Sequence, residues 1–457
     1  MSSLRIPTAQ DLRTLLRLAL PLVVVQVGMM AMGLVDTIMV GHLSAEALAA
    51  VALGNLYFFA VSSFSLGCLL ALDPVVAQAV GAGETESVAR AVQRGLVLAG
   101  LLSLPTMLSL WPADPVLRFL RQPTEVVPLA SEYARISSLG VVGFLAFVVL
   151  RQTLQALGRM RPIVAVIVIA NLVNAGLNWI LIYGHLGSPA FGTNGSAMAT
   201  VVSRWVLALG LLGLAWRELE PRLVPVRTGI LDWAPLKRLL ALGAPIGVQY
   251  QLEYGVFGVV GMLMGIFGTE PMAAHQVALN LSSITFMVPM GVSAAAAVAV
   301  GHAIGRGDMD GARRAAGAAL ACGVGFMLLA GATLGLLPGP LARVYTGVPG
   351  VVTLAMQLIP IAAVFQVFDG IQVVSIGILR GLGDTRTPML LNILGFWLLG
   401  LPTSLALGER FGFGPRGLWW GLVVGLIVVG TTLLLRVRHH LSREVRRITI
   451  EEAQLQE

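Results

Sequence analysis

The feature that most constrains this chain is a rhythm of long apolar runs. A membrane-spanning helix needs about 20 predominantly apolar residues. By that measure the sequence holds twelve spans, near 13–40, 47–73, 92–111, 128–150, 162–184, 193–216, 239–267, 273–300, 315–337, 351–379, 387–407 and 416–435. Inside a bilayer only helices and closed barrels satisfy every backbone group, so the runs predict an all-α integral membrane protein. Composition agrees, since 12% of the 457 residues are charged, against about 25% in soluble domains. The first run is too long for a signal-peptide core and no clean cleavage site follows it. It reads as an uncleaved first span.

Basic residues set the expected orientation. Of the 30 Lys and Arg, 23 fall in one alternate set of gaps, 6 in the other, and Arg204 lies inside a span. The positive-inside rule then places both termini in the cytoplasm, and an even span number agrees in putting them on one side. The same distribution argues that the net charge of +7 serves topology and not nucleic acid. The longest polar connection, Arg217–Lys237, divides the spans six and six. The expected domains are an N-lobe at 1–216, a cytoplasmic linker at 217–238, a C-lobe at 239–436 and a polar tail at 437–457, the last read as a short juxtamembrane helix. Cys68 and Cys322 sit in apolar runs and offer no disulfide or metal framework.

The halves repeat. QAVGAGETESVARAV (Gln78–Val92) matches HAIGRGDMDGARRAA (His302–Ala316) at an offset of 224, LQALGRMRPIVAV (Leu154–Val166) matches ILRGLGDTRTPML (Ile378–Leu390) at 225 to 226, and GTNGSAMATVV (Gly192–Val202) matches GPRGLWWGLVV (Gly414–Val424) at 222. Each copy carries six spans, so both insert the same way up, about an axis along the membrane normal. Parallel repeats of this kind are a transporter architecture with sites near the midplane.

Only three acids lie well inside spans: Asp36, Glu253 and Asp369. A carboxylate at membrane depth costs roughly 2.5–3.5 kcal/mol on insertion scales, and such residues usually mark ion or proton pathways. The plainer alternative is a neutral carboxyl bonded to a neighbouring helix. No acid occupies the repeat position of Asp36, where an offset of 224 gives Val260. Other polar groups cluster by helical spacing. Asn171, Asn174 and Asn178 share one face, as interhelical glue or as cavity lining, and Thr200 could join either role. Gln249, Glu253 and Phe257 form an i, i+4, i+8 stripe that sets a carboxyl beside an aromatic ring, suited to a lipophilic cation. Gln276 and Asn280 make a further i, i+4 pair. Asp73, before Pro74 at a span end, reads as a cap or turn residue.

Several enzyme motifs fail. No GK[ST] follows GAGETE, so no Walker loop is present. Gly381-Leu382-Gly383-Asp384 superficially matches the GxGD of intramembrane proteases, but it lies in a cytoplasmic gap without a Tyr-Asp partner. The chain is therefore not expected to be an enzyme.

The stretches VDTIMVGHLSAEALAAVALGN, the repeated VGAGE and IGRGD loops, AAHQVALNLSSITFMVP and QVVSIGILRGLGDTRTP together resemble the multidrug and toxic compound extrusion (MATE) family, NorM-like branch, over about Leu15 to Arg436. The resemblance implies two six-helix lobes in a V shape, a rocking alternating-access cycle, and export of organic cations against Na+ or H+ entry. It implies a monomer in the bacterial inner membrane, with no cofactor beyond the coupling ion. It assigns ion coupling to Asp36, Asn174, Asn178 and Thr200 in the N-lobe and to Glu253 and Asp369 in the C-lobe, the last two as a possible Na+ site. Gln249, Phe257, Gln276, Asn280 and Phe365 would line the substrate cavity. Relatives with a C-lobe Na+ site often carry Tyr one turn before the tenth-span Asp. This chain has Phe365 there, one oxygen ligand fewer. The alternative within the same superfamily is a flippase for lipid-linked saccharides, whose pyrophosphate would favour several cavity arginines. Only Arg204 is a candidate. A non-transporting receptor or scaffold would leave intramembrane acids in both halves unexplained.

Overall fold

Three glycine turns carry the repeat into the backbone. In the computed structural model, which describes residues 4–450, Gly83 and Gly307 have φ of +75° and +71°, a left-handed conformation that glycine alone adopts without steric cost. Gly158 and Gly383 follow at +71° and +87°, and Gly192 and Gly414 at +55° and +58°. All three sequence matches are thus matched turns.

The helices are α1 (Ala9–Gly41), α2 (Ala45–Leu69), α3 (Leu72–Gly81), α4 (Thr85–Leu110), α5 (Ala113–Phe119), α6 (Val126–Ser138), α7 (Val141–Ala156), α8 (Met160–Tyr183), α9 (Thr193–Leu214) and α10 (Trp216–Leu223). There follow α11 (Trp233–Ile266), α12 (Thr269–Gly305), α13 (Met309–Leu336), α14 (Pro338–Tyr345), α15 (Pro349–Leu382), α16 (Arg386–Asn392), α17 (Leu401–Leu405) and α18 (Pro415–Leu441). Among the described residues there is no strand. The starts of α1 and α11, of α2 and α12, and of α4 and α13 are each 224 residues apart. Around α17 the chain winds as a π-helix at Ile393–Gly400 and Ala406–Arg410.

Ten helical segments are long and apolar enough to cross a membrane, and α6 with α7, bent by 52°, makes an eleventh if counted as one span. The chain is a multi-pass membrane protein, but this criterion stops short of the twelve spans expected. The shortfall falls on α11. Its 34 residues reach roughly 50 Å at 1.5 Å each, yet Gln249, Tyr250, Gln251, Glu253 and Tyr254 break its apolar run. The fourth expected span is the bent pair, and the eleventh contains the π-helical stretches. The tail departs from expectation too, because α18 runs on to Leu441 and residues 445–449 are irregular rather than helical. The ends of two expected domains, residues 1–3 and 451–457, lie outside the described residues.

Packing divides the chain into two compact units. The N-unit comprises Val24–Gly247 with 449–450, and the C-unit comprises 4–23 with Val248–Ile448. Both first helices therefore change units along their length, α1 after Val23 and α11 after Gly247, at positions again 224 apart. Each carries a proline just before the change, Pro21 and Pro245. Within the C-unit, α1 comes so close to α12 that a Cβ on Gly291 would lie 2.8 Å from the Val23 backbone nitrogen. Within the N-unit, α11 comes equally close to α2, where a Cβ on Gly67 would lie 2.6 Å from the Gly247 nitrogen. Gly67 and Gly291 are themselves 224 apart, so the repeat conserves both contacts.

Candidate functional site

In the N-unit three helices converge on Asp36, whose side chain is buried at 1% exposure. Asn178 of α8 donates from Nδ2 to Asp36 Oδ1 at 2.5 Å, and Thr200 of α9 donates to Oδ2 at 2.8 Å. The same Asn178 amide donates to Asn174 Oδ1, one turn earlier, at 3.2 Å. The polar face expected on α8 splits by role. Asn174 and Asn178 turn to the carboxyl, whereas Asn171 donates to Gly28 O of α1 at 3.0 Å and fastens the two helices.

Among the described residues no basic side chain lies within salt-bridge distance of Asp36. Arg204, however, shares the interior. It is buried, lies with its guanidinium 3.6 Å from the Phe58 ring centroid, and donates to Ser137 O at 3.2 Å. Its charge reaches Asp36 at longer range, so the layer is not free of basic groups. Tyr133 is buried nearby, within electrostatic reach of Asp36 and Arg204, and donates to Asn55 Oδ1 at 3.2 Å.

The chemistry follows from the donor set. Asp36 is hydrogen-bonded on both oxygens but not ion-paired, and burial with Arg204 acting only from a distance makes ionisation costly. A proton or a small oxygen-seeking cation would remove that cost. The available hard ligands are the two Asp36 oxygens, Thr200 Oγ1, Asn174 Oδ1 and Asn178 Oδ1, the last buried without a partner.

The C-unit holds the other two acids, both half-buried. Gln372 of α15 donates to Glu253 Oε1 of α11 at 3.0 Å, and the Glu253 charge bears on Asp369, three residues before Gln372. Beside them lies an aromatic group. Phe257 packs edge-on to Phe365 at 6.1 Å and tilted to Phe396 at 6.5 Å, and Phe365 packs on Trp419 at 6.0 Å. Trp419 Nε1 donates to His275 Nδ1 at 3.2 Å. An indole N–H is only a donor, so Nδ1 keeps its lone pair, the proton sits on Nε2, and that buried atom has no partner. At the repeat positions of His275 and Trp419 the N-unit has Val51 and Ala197, packed in one apolar cluster.

Of the expected cavity residues, Phe257 and Phe365 are thus gathered near the acids. Gln249 is buried on α11. Gln276 and Asn280 stand exposed on α12, and among the described residues no hydrogen bond ties them to the acids. Sequence reasoning missed Gln372, which shares a face with Asp369, and Tyr133, Asn55, His275 and Trp419, whose partners lie 78 and 144 residues away. Arg204 was visible as an arginine inside a span, but its aromatic seat was not. Asp384 of the rejected GxGD motif is clamped by Arg436 Nε at 2.8 Å, His440 Nε2 at 3.0 Å and the Thr387 amide at 3.2 Å. Burial alone would raise its pKa, but nearby His440 and the bonds from Arg436 and Thr387 prevail and hold its carboxyl well below the usual range.

A family model described as MatE matches residues 21–180 and again 245–405, two stretches that begin 224 residues apart. Solved structures with the same fold include a eukaryotic MATE transporter (TM-score 0.87, 23% identity, covering 96% of this chain and 98% of that one). A MOP superfamily transporter from Pyrococcus furiosus, described as having a binding pocket of reverse polarity, matches with TM-score 0.86 and 20% identity over 96% of this chain and 99% of that one. An aspartate-to-asparagine mutant of a Vibrio cholerae MATE transporter matches with TM-score 0.86 and 20% identity over 96% and 98%.

Proposed function

The chain belongs to the MatE family, and from that premise we propose that it is a secondary antiporter that exports organic cations in exchange for inward Na+ or H+. The observation that carries this reading is Asp36, a buried carboxyl gripped by Asn178 and Thr200 and left without an ion pair. Such a group is sensitive to whether a cation is present. An entering proton or Na+ neutralises Asp36 in the N-unit, or the half-buried Glu253 and Asp369 in the C-unit, and the displaced organic cation leaves. Coupling requires each ligand to prefer a different conformational state. Phe257, partly exposed one turn after Glu253 and backed by the buried Phe365 and Trp419, supplies an aromatic face for the apolar body of a lipophilic cation.

Arg204 weighs against the flippase alternative. A pyrophosphate site would need accessible arginines, whereas this guanidinium is buried against Phe58 and bonded to Ser137. The membrane would be the bacterial inner membrane, with both termini cytoplasmic and the chain acting as a monomer.

The test is cation efflux from proteoliposomes under Na+ and H+ gradients imposed separately. One gradient should drive export by the native chain, and the triple variant Asp36→Asn, Glu253→Gln, Asp369→Asn should lose it. Undiminished gradient-driven export by that variant would sink the reading.

A further inference from the structure

At the arginine-rich end of the N-unit, the turn before α8 and the short helix α10 enclose a cavity of about 240 Å³ lined by Leu157, Arg159, Arg217, Glu218 and Arg222. Three guanidinium groups face one carboxylate. Among the described residues no carboxylate lies within salt-bridge distance of any of the three. Arg222 is half-buried, and its pKa is lowered by burial first and then by the nearby charge of Arg159. Arg222 also donates from Nη1 to the Glu218 carbonyl, and Arg159 and Arg217 are exposed, so the cluster presents three guanidinium groups to solvent with one carboxylate among them.

The walls are built rather than loose. Gln93 of α4 donates to the carbonyls of Arg222, Leu223 and Pro225 at 3.0, 3.2 and 3.0 Å and accepts from the Arg227 amide at 2.8 Å. Glu86 pairs with Arg227 at 3.2 Å. These bonds fasten the segment after α10 to α4 and hold the backbone at Arg222 in place.

The repeat shows the same corner with its charges exchanged. Arg159 corresponds to Asp384 at an offset of 225, and Glu218 to His440 at 222. In the C-unit the protein supplies its own anion, Asp384, to Arg436 and His440. In the N-unit that position is an arginine, and the one carboxylate of the corner, Glu218 at the His440 position, is shared among Arg159, Arg217 and Arg222, which leaves room for a further anion.

We propose that this cavity binds a phosphate group, carried by an anionic lipid headgroup or by a free phosphate. Guanidinium forks match phosphate oxygens in pairs. At about 240 Å³ the cavity lies below the roughly 300–1,000 Å³ of pockets for drug-sized ligands, which suits a phosphate group and little more. The arginine census places this end at the cytoplasmic face, where basic pockets among spans take anionic headgroups. Trp216 and Leu214, both exposed, supply the apolar and aromatic fringe found at headgroup depth.

Thermal-shift titration and native mass spectrometry of the purified full-length chain test this, with phosphatidylglycerol, phosphatidylcholine and inorganic phosphate as separate probes. Phosphatidylglycerol should stabilise the native chain and remain bound, and phosphatidylcholine should not. Arg159→Gln with Arg222→Gln should weaken that binding roughly tenfold or more. If the double variant fails to fold, Arg217→Glu, a charge reversal on an exposed side chain, gives the same readout. Stabilisation by inorganic phosphate alone, lost in the variants, assigns the cavity to free phosphate. Phosphatidylglycerol binding unchanged in the variants, or no preference among the three probes, overturns the proposal.

Discussion

At the scale of single residues, Asp36 combines two costs that substitutions separate. Asp36→Asn keeps the shape and the Thr200 bond while removing the charge. Efflux under the coupling gradient should fall at least tenfold while the melting temperature stays within a few degrees, because a neutral group of the same size replaces a costly buried one. Thr200→Val does the opposite. It keeps the charge but leaves Asp36 Oδ2 without its 2.8 Å donor, and an unsatisfied buried acceptor costs about 1–3 kcal/mol. Thermal unfolding should show that loss. If Asp36→Asn unfolds the chain and Thr200→Val is silent, the carboxyl is a structural strut and not an ion site. Much of this cluster was legible beforehand. The three asparagines share a helix face by spacing alone, and a lone acid in an apolar run is conspicuous. Spacing could not show that Asn171 would turn to the Gly28 carbonyl, nor that Arg204 would seat on Phe58. Those outcomes depend on which helix lies opposite.

At the scale of elements, the turn between α15 and α16 predicts a pH dependence of stability. Asp384 titrates well below the usual range in the folded chain, because nearby His440 and the bonds from Arg436 and Thr387 outweigh burial. Its unfolded value is about 3.9. A depressed carboxylate contributes stability that is fully present above the unfolded pKa and is lost as pH falls through the folded one. Its contribution is therefore complete near neutrality and declines below about pH 4. Asp384→Asn should lower unfolding free energy near neutral pH by about 1.5–3 kcal/mol, the scale of hydrogen bonds to charged groups. The gap between variant and native chain should narrow in melts taken toward pH 3, and a gap that stays constant would show that the charge is irrelevant. The turn itself was readable, since Gly383 needs its left-handed φ. Its clamp was not, because Arg436 and His440 arrive from α18, 52 and 56 residues on. The π-helical winding around α17 has no signature in an apolar run, which looks alike in any helical winding.

At the scale of the whole molecule, the repeat and the packing divide the chain differently. The sequence repeats from one copy to the next, yet α1 and α11 each belong to both units, with the change at equivalent positions. No composition shift marks Val23 or Gly247, so hydropathy could not reveal the exchange. Its physical trace is the glycine pair. Gly67 receives Gly247 of α11 within the N-unit, and Gly291 receives Val23 of α1 within the C-unit. At Gly67 the approach is backbone to backbone, and at Gly291 the Val23 Cγ2 and backbone nitrogen both lie within 3 Å, so a backbone atom that cannot rotate aside stands in the way at each. An alanine in a helix is normally favoured over glycine by about 1 kcal/mol, but overpacking a tight contact costs about 1–3 kcal/mol, and here the collision should prevail. Gly67→Ala and Gly291→Ala are each expected to destabilise the chain, by similar amounts, because the contacts are copies. Gly100→Ala is the control. It lies on α4 with nothing within 4 Å of its added carbon, so it should be neutral or mildly stabilising. Melting of the three single variants in detergent would decide. A large loss for one of Gly67 and Gly291 without the other would mean that the two docking contacts have diverged, and losses no greater than at Gly100 would mean that α1 and α11 are not held where the two units divide.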